Sequence, residues 1–168
     1  MGTVYLDDTT IHVGLSAATK EMTMAGSMIF VNLAVRDLER SKEFWTKLGY
    51  SFDPTFTDEN AACLVLAEGH NYAMLLTEKF FAGFLPQGKT TADASTTTET
   101  MIGLAAESRA EVDRLVDTAL ASGGSAASDT MDMGAMYGRS FQDPDGHHWE
   151  VMYMDMAAME QEGQEGQA

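Results

Sequence analysis

The chain has little of several residue types that would point to particular classes of protein. Its 168 residues include one cysteine, Cys63, and three prolines. A lone cysteine excludes a disulfide framework within the chain, and its place in the apolar run 61–66 predicts a buried structural thiol. No apolar run approaches the roughly 20 residues that a helix needs to span a bilayer. These absences favour a cytoplasmic protein.

Basic residues are also scarce, which bears on the choice of partners. Ten Lys and Arg residues stand against 26 Asp and Glu residues, for a formal net charge of −16. Such a charge repels phosphate backbones and anionic lipid, so we expect neither a nucleic acid nor a membrane as partner. An acidic surface usually serves solubility alone, although it would also attract a cationic ligand.

Several motifs of known chemistry are missing as well. The sequence has no glycine-rich phosphate loop after a strand, no Cys/His zinc pattern and no serine nucleophile elbow. No nucleophile and base stand together at a spacing typical of covalent catalysis. The sequence therefore gives no support to phosphoryl or acyl transfer.

The chain does contain an internal repeat. Residues 31–37 and 102–108 are short apolar runs that end in a helix-capping residue, and they lie 71 positions apart (103 − 32 = 71). Each run leads into an amphipathic helix, then a glycine, then further strand-like runs. This repetition predicts two similar modules.

Module one opens with a strand near residues 28–35. Asp37 is a plausible N-cap, and Gly49 is placed to end the helix that follows. Strands are predicted near 50–56, 61–66 and 72–77. The predicted apolar stripe of the helix, including two aromatics expected to be core, consists of Leu38, Ser41, Phe44, Trp45 and Leu48.

Module two carries clearer signals. Ser108 and Glu111 have capping-box spacing, and the helix is followed by Gly123. Strands are predicted near 125–129, 135–142 and 147–153, the last two joined by a tight turn at Asp143-Pro-Asp-Gly146. Residues 80–98 read as a long loop with a short helix. The order βαβββ, twice, predicts an α+β fold with mostly antiparallel curved sheets around a cleft.

These patterns divide the chain into three parts. The predicted domain covers 28–157, with module one at 28–79, the loop at 80–98 and module two at 99–157. Residues 1–27 are either a leader added in cloning or a native extension with strand-like runs at 3–6 and 11–15. Residues 158–168 are polar and read as a flexible tail.

Two segments resemble a known family. They are residues 32–49, NLAVRDLERSKEFWTKLG, and residues 137–150, YGRSFQDPDGHHWE. Their order and spacing resemble the vicinal oxygen chelate superfamily of glyoxalase I, extradiol dioxygenases and bleomycin-resistance proteins, over about residues 28–156. The resemblance implies two βαβββ modules in a half-open barrel, commonly as a homodimer, with a small molecule bound in the cleft.

The resemblance also implies where metal ligands would lie, on the first and last strand of each module. In this chain those positions are Asn32, Ala73, Gly103 and Glu150. Two of them have no ligating side chain, and Asn32 offers only a neutral oxygen. A catalytic metal typically needs about three protein ligands. Even with His148, which shares a strand face with Glu150, the set is poor, so we expect neither a metal nor another cofactor.

The candidate site residues follow from the same positions. Glu150 is the candidate catalytic base, and Asn32, Tyr137, Arg139 and His148 are candidate ligand-binding residues. If the hairpin pairs residues whose numbers sum to 289, Arg139 faces Glu150 and the two form a structural ion pair instead. A shift of one residue would place them on opposite faces. The two histidines of the turn, His147 and His148, are otherwise expected to be exposed.

Three functions are compatible with this set. The first is a metal-independent, bleomycin-resistance-like protein that binds a small molecule in the cleft. The second is a glyoxalase-like lyase or isomerase, with or without a metal, in which Glu150 acts as the base or as a metal ligand. The third is a sensor or partner-binding module without chemistry.

Overall fold

The computed structural model describes residues 28–165. The predicted leader or extension at 1–27, with its two strand-like runs, lies outside the described residues. No helix in the described part of the chain is both long and apolar enough to cross a membrane.

Module one forms a four-stranded sheet with one helix against it. The strand order is β1-β4-β3-β2, and only the β1–β4 pair is parallel. Asp37 caps α1 by accepting a hydrogen bond from the Arg40 amide at 3.0 Å, and Gly49 follows the helix with φ +97°. The elements are β1 (Ile29–Val35), α1 (Leu38–Lys47), β2 (Ser51–Asp53), a 3₁₀ turn (Pro54–Phe56), β3 (Ala61–Ala67), β4 (Asn71–Thr77) and the short α2 (Glu78–Ala82).

Module two repeats this arrangement with one strand split in two. Its strand order is β5-β9-β8-β6, with β7 also paired to β8, and the β5–β9 pair is parallel. The Ser108 hydroxyl accepts from the Glu111 amide, while the Glu111 carboxylate accepts from the Glu107 amide at 2.8 Å. The elements are β5 (Met101–Ala105), α3 (Arg109–Ala121), β6 (Ser125–Ala126), β7 (Met131–Asp132), β8 (Met136–Gln142), β9 (His148–Met154) and α4 (Met156–Glu165).

One core joins the two modules through their helix-covered sheet faces. The ring centroids of Trp45 on α1 and Trp149 on β9 are 4.4 Å apart, and both side chains are fully buried. The ring centroids of Phe44 and Phe141 are 6.0 Å apart. Cys63 is buried as predicted. Burying each such aromatic stabilises the fold by about 1.5–3 kcal/mol. The fold prediction is confirmed: two βαβββ modules with unclosed sheets, whose other faces point away from the core.

The β8–β9 turn is fixed by a buried aspartate. Asp143 accepts hydrogen bonds from three successive amides through Oδ1, and the Trp149 indole donates to its Oδ2 at 3.1 Å. Gly146 has φ +99°, and a Cβ there would lie 2.8 Å from the Ala94 carbonyl. The turn therefore packs tightly against the loop that connects the modules.

Candidate functional site

The site is built on the sheet faces that point away from the core, which we call the outer faces. Along β1, Leu33 and Val35 are buried in the core while Asn32 is exposed, as strand alternation requires. On β9, Trp149 and Val151 face the core, and Glu150 between them lies on the outer face of module two.

The register of the parallel strand pairs corrects one implied ligand position. Gly103 on β5 is paired with Glu150, whereas the corresponding Asn32 on β1 is paired with Met74. Ala73 is wrong as a ligand position, because it lies fully buried in the core. The register therefore gives Asn32, Met74, Gly103 and Glu150 as the four positions.

This donor set does not fit the family's metal ion. Glu150 is the one carboxylate, Asn32 offers a neutral amide, and the Met74 thioether suits soft ions rather than the hard ones used with carboxylate ligands. The Met152 methyl lies 3.4 Å from where a Cβ of Gly103 would sit, so it fills that space. Within residues 28–165 no group of three His, Cys, Asp or Glu side chains is placed to hold a metal.

Glu150 faces a small space. It lies opposite Ser140 on β8 and lines a cavity of about 130 Å³ together with Asp129, Met131 and Met152. At about 30 Å³ for each water molecule, this volume corresponds to roughly four waters. Glu150 thus lies on the outer face, without room for a drug-sized ligand beside it.

Of the two registers considered for the hairpin, the structure has the one shifted by one residue. The hairpin pairs residues whose numbers sum to 290, so Arg139 lies opposite Val151. The reason is the turn: Asp143 also closes it by donating its own amide to the His147 carbonyl, and β9 begins one residue later than the pattern suggested. A shift of one residue reverses which face a side chain occupies.

Arg139 and Tyr137 accordingly contact α3 instead of Glu150. Arg139 forms ion pairs with Asp113 and Asp117, each at 2.9 Å, and the Tyr137 hydroxyl donates to Asp113 at 2.8 Å. The hydrogen bonds from Tyr137 and then Arg139 lower the pKa of Asp113. Tyr137 is therefore not brought together with Asn32 or Glu150. Arg139 borders the small cavity that Glu150 lines, but its guanidinium is paired with α3.

His147 is buried, contrary to the prediction that it is exposed. Its Nδ1 contacts the Glu99 carboxylate, and its Nε2 lies 2.8 Å from the Ala34 carbonyl oxygen. Burial alone would lower the pKa of His147, but the Asp143 carboxylate, the Ala34 carbonyl and Glu99 together raise it. Because both ring nitrogens face acceptors, the site favours the imidazolium, which can donate to both.

His148 is half-buried at the start of β9. It is paired with Met101 and Gln142 on the neighbouring strands. Its Nε2 atom is buried and has no hydrogen-bond partner among the described residues. Its candidate role in ligand binding stays a prediction.

Asn32 lines a larger cavity than Glu150 does, and the sequence did not predict it. A cavity of about 490 Å³, here called the aromatic pocket, lies between the outer face of module one and the segment 80–85. A smaller cavity of about 190 Å³, the polar chamber, shares Asn32, Phe81 and Leu85 with it and reaches Glu99 and His147. The remaining walls of the aromatic pocket include Met74, Leu76, Phe80 and Phe84.

A signal for this pocket was present in the sequence. Apolar residues at 80, 81, 84 and 85 follow helical spacing within a segment that reads mostly as loop. Glu99 carried no such signal, because its contact with His147 spans 48 positions.

Fold and site together define a class: proteins of two βαβββ modules with open sheets and cavities on their outer faces. The model of one family, the Glyoxalase/Bleomycin resistance protein/Dioxygenase superfamily, matches residues 27–151. The chain belongs to this superfamily. No curated protein matches the chain.

Solved structures agree with this assignment. A hypothetical protein from S. aureus is 27% identical with a TM-score of 0.62, over 74% of this chain and 92% of that one. A glyoxalase/bleomycin resistance protein/dioxygenase family enzyme from Burkholderia phytofirmans PsJN is 17% identical, with a TM-score of 0.62 over 74% and 96%. A lactoylglutathione lyase from Agrobacterium tumefaciens is 16% identical, with a TM-score of 0.56 over 77% and 94%. The last two likenesses show the fold alone.

Proposed function

We propose that this protein binds a small molecule on the outer face of its modules, without the metal site used by catalytic members of its superfamily. The observation that carries the proposal is the set of four ligand positions, of which only Glu150 is a strong metal ligand. The volume of the aromatic pocket supports it, since small-molecule sites usually enclose about 300–1,000 Å³.

A glyoxalase-like lyase or isomerase is the alternative, with Glu150 as base or ligand. Such chemistry needs a positive charge or a hydrogen-bond donor near the developing oxyanion. Arg139, the candidate for that role, faces α3, and Glu150 lines a cavity of only about 130 Å³. The geometry therefore favours binding over this reaction.

The proposal includes a homodimer, which is common in the superfamily. Both β1 and β5 are edge strands, and each carries exposed apolar side chains. Ile29 and Met101 are each 60% exposed, and Phe30 is 45% exposed. Covering such edges with a second copy would remove unpaired strand groups and apolar area from water.

The experiment that tests the proposed function is metal analysis of gently purified protein, before and after exposure to nickel, zinc, manganese and iron. Glu150→Gln is the test variant, and Glu107→Gln, at an exposed position, is its matched control. We expect no stoichiometric metal in any of the three proteins. Near-stoichiometric metal that disappears only in Glu150→Gln would overturn the proposal and favour the lyase.

A further inference from the structure

We infer that the ligand is an aromatic amine: a flat apolar body that fills the aromatic pocket, with a nitrogen donor that reaches Glu99 in the polar chamber. The inference rests on the proposed function, because it names the ligand class for the same outer face. It follows from the walls of the aromatic pocket, the chemistry of the polar chamber and the residues that the two cavities share.

The walls of the aromatic pocket call for an apolar body. Phe80 and Phe84 meet edge to face with ring centroids 5.1 Å apart, yet Phe80 is 39% and Phe84 68% exposed. Aromatic rings gain from burial and from further edge or stacked contacts, which an aromatic ligand supplies. Among the described residues, none of those that line this pocket carries a formal charge. A charged group placed there would lose its hydration without compensation.

The polar chamber calls for a hydrogen-bond donor. Glu99 contacts the His147 ring through Oε1, and its side chain stays 29% exposed. A carboxylate accepts hydrogen bonds and donates none, so Oε2 is suited to a donor such as an ammonium or amine group. The exposed Asn32 lines both cavities, and its side-chain oxygen is able to accept from the same nitrogen.

The charges around the chamber favour a cation over an anion. The His147 ring already contacts the Glu99 carboxylate through Nδ1, and the charge of Asp143 further raises the pKa of His147. Arg36, two residues beyond Ala34 of the chamber wall, is paired with Asp145 at 3.2 Å. A ligand carboxylate would therefore meet Glu99 without a free cation to pair with. This argues against glutathione conjugates, which carry carboxylates.

The shared residues show that the two cavities are neighbours. Asn32, Phe81 and Leu85 line both cavities, so a nitrogen in the polar chamber and a ring in the aromatic pocket belong to one molecule of modest size. A naphthalene with a one-carbon arm has this form. It allows three probes that differ only in the polar group.

The test is calorimetric titration with 1-naphthylmethylamine, 1-naphthalenemethanol and 1-naphthoic acid. We expect the amine to bind roughly tenfold more tightly than the acid, with the alcohol between them. In Glu99→Gln, which keeps a hydrogen bond to His147, the amine should lose about fivefold in affinity and the alcohol less than about twofold. In Phe84→Ala all three probes should lose about fivefold.

Two matched variants serve as controls. Phe56→Ala removes another exposed phenylalanine, 57% exposed and away from both cavities, and Glu107→Gln neutralises an exposed glutamate. Neither should change the affinity of any probe. If Glu99→Gln disturbs folding, the wild-type protein still tests the inference. Raising the salt concentration should weaken the binding of the amine and leave the binding of the alcohol unchanged.

The outcomes separate this inference from the proposed function. Equal binding of the three probes, an amine affinity insensitive to Glu99→Gln and to salt, or no binding at millimolar concentration would each overturn the ligand class. Stoichiometric metal that depends on Glu150 would overturn the proposed function, whatever the probes do.

Discussion

Ser41 on α1 donates a 2.8 Å hydrogen bond to the carboxylate of Asp145 in the turn between β8 and β9. The same carboxylate accepts from the Arg36 amide at 3.0 Å and pairs with the Arg40 guanidinium at 3.2 Å. Residues 104 to 109 positions apart are joined in this way. Asp145 therefore ties the start of α1 in module one to the hairpin of module two.

Asp145→Asn should lower the free energy of unfolding by about 2–3 kcal/mol at pH 7, and Ser41→Ala by about 1 kcal/mol. Burial alone would raise the pKa of Asp145, but the bonds from Arg36 and Ser41 and the charge of Arg40 lower it. A lowered pKa gives stability that is present above the ordinary value of 3.8 and is lost as the pH falls below it.

Urea denaturation at pH 7 and pH 3 measures both effects. The wild-type protein should lose more stability on acidification than Asp145→Asn does. Asp129→Asn, at an exposed position, is the control and should behave as wild type. An equal loss in wild type and Asp145→Asn would contradict the assignment.

His147 should make stability depend on pH in the opposite direction. Its pKa is raised above the ordinary 6.5, so the folded state binds the proton more tightly than the unfolded state. The resulting stability is complete below pH 6.5 and is lost as the pH rises through the raised value. NMR titration of the imidazole, with unfolding measured on both sides of its midpoint, checks this.

The variant that tests this role is His147→Gln, which should remove that part of the pH dependence. His70→Gln is the matched control, because His70 is exposed. A titration midpoint of His147 at or below 6.5 would show that burial outweighs the two carboxylates.

Gly146→Ala should destabilise the protein more than Gly69→Ala. Both glycines have positive φ, and for an L residue this conformation costs about 1–2 kcal/mol. A Cβ at Gly146 would also lie 2.8 Å from the Ala94 carbonyl, whereas at Gly69 nothing lies within 4 Å. Chemical denaturation should show the excess cost at Gly146, and equal costs would mean that the connecting loop moves away freely.

Arg139→Gln should weaken the fold without weakening ligand binding. Arg139 is paired with Asp113 and Asp117 on α3, so we expect a loss of about 1 kcal/mol in stability. The naphthalene affinities should stay unchanged, since Arg139 lines neither the aromatic pocket nor the polar chamber. Arg114→Gln, which lies on α3 and is more exposed than Arg139, controls for loss of charge. If the amine bound more weakly to Arg139→Gln and not to Arg114→Gln, Arg139 would have to be part of the binding site.

Most of the helices and strands, and their order, are predictable from local signals in the sequence. The cap at Asp37, the glycine at 49 and the apolar stripe with Phe44 and Trp45 depend on contacts within a few positions, and all were predicted correctly. The repeated pattern then gave two βαβββ modules, because similar local signals build similar units. Family membership followed from the same segments.

The register of the strand pairs and the surroundings of the site could not be predicted from the sequence. Arg139 lies opposite Val151 because the bonds of Asp143 shift the hairpin by one residue, and Met74 replaces Ala73 because β1 and β4 pair across 42 positions (74 − 32 = 42). His147 is buried because Glu99 and Ala34, 48 and 113 positions away, supply its acceptors. Such contacts depend on the register between strands that are far apart in the sequence. The alternation of apolar and polar residues along one strand does not contain that information.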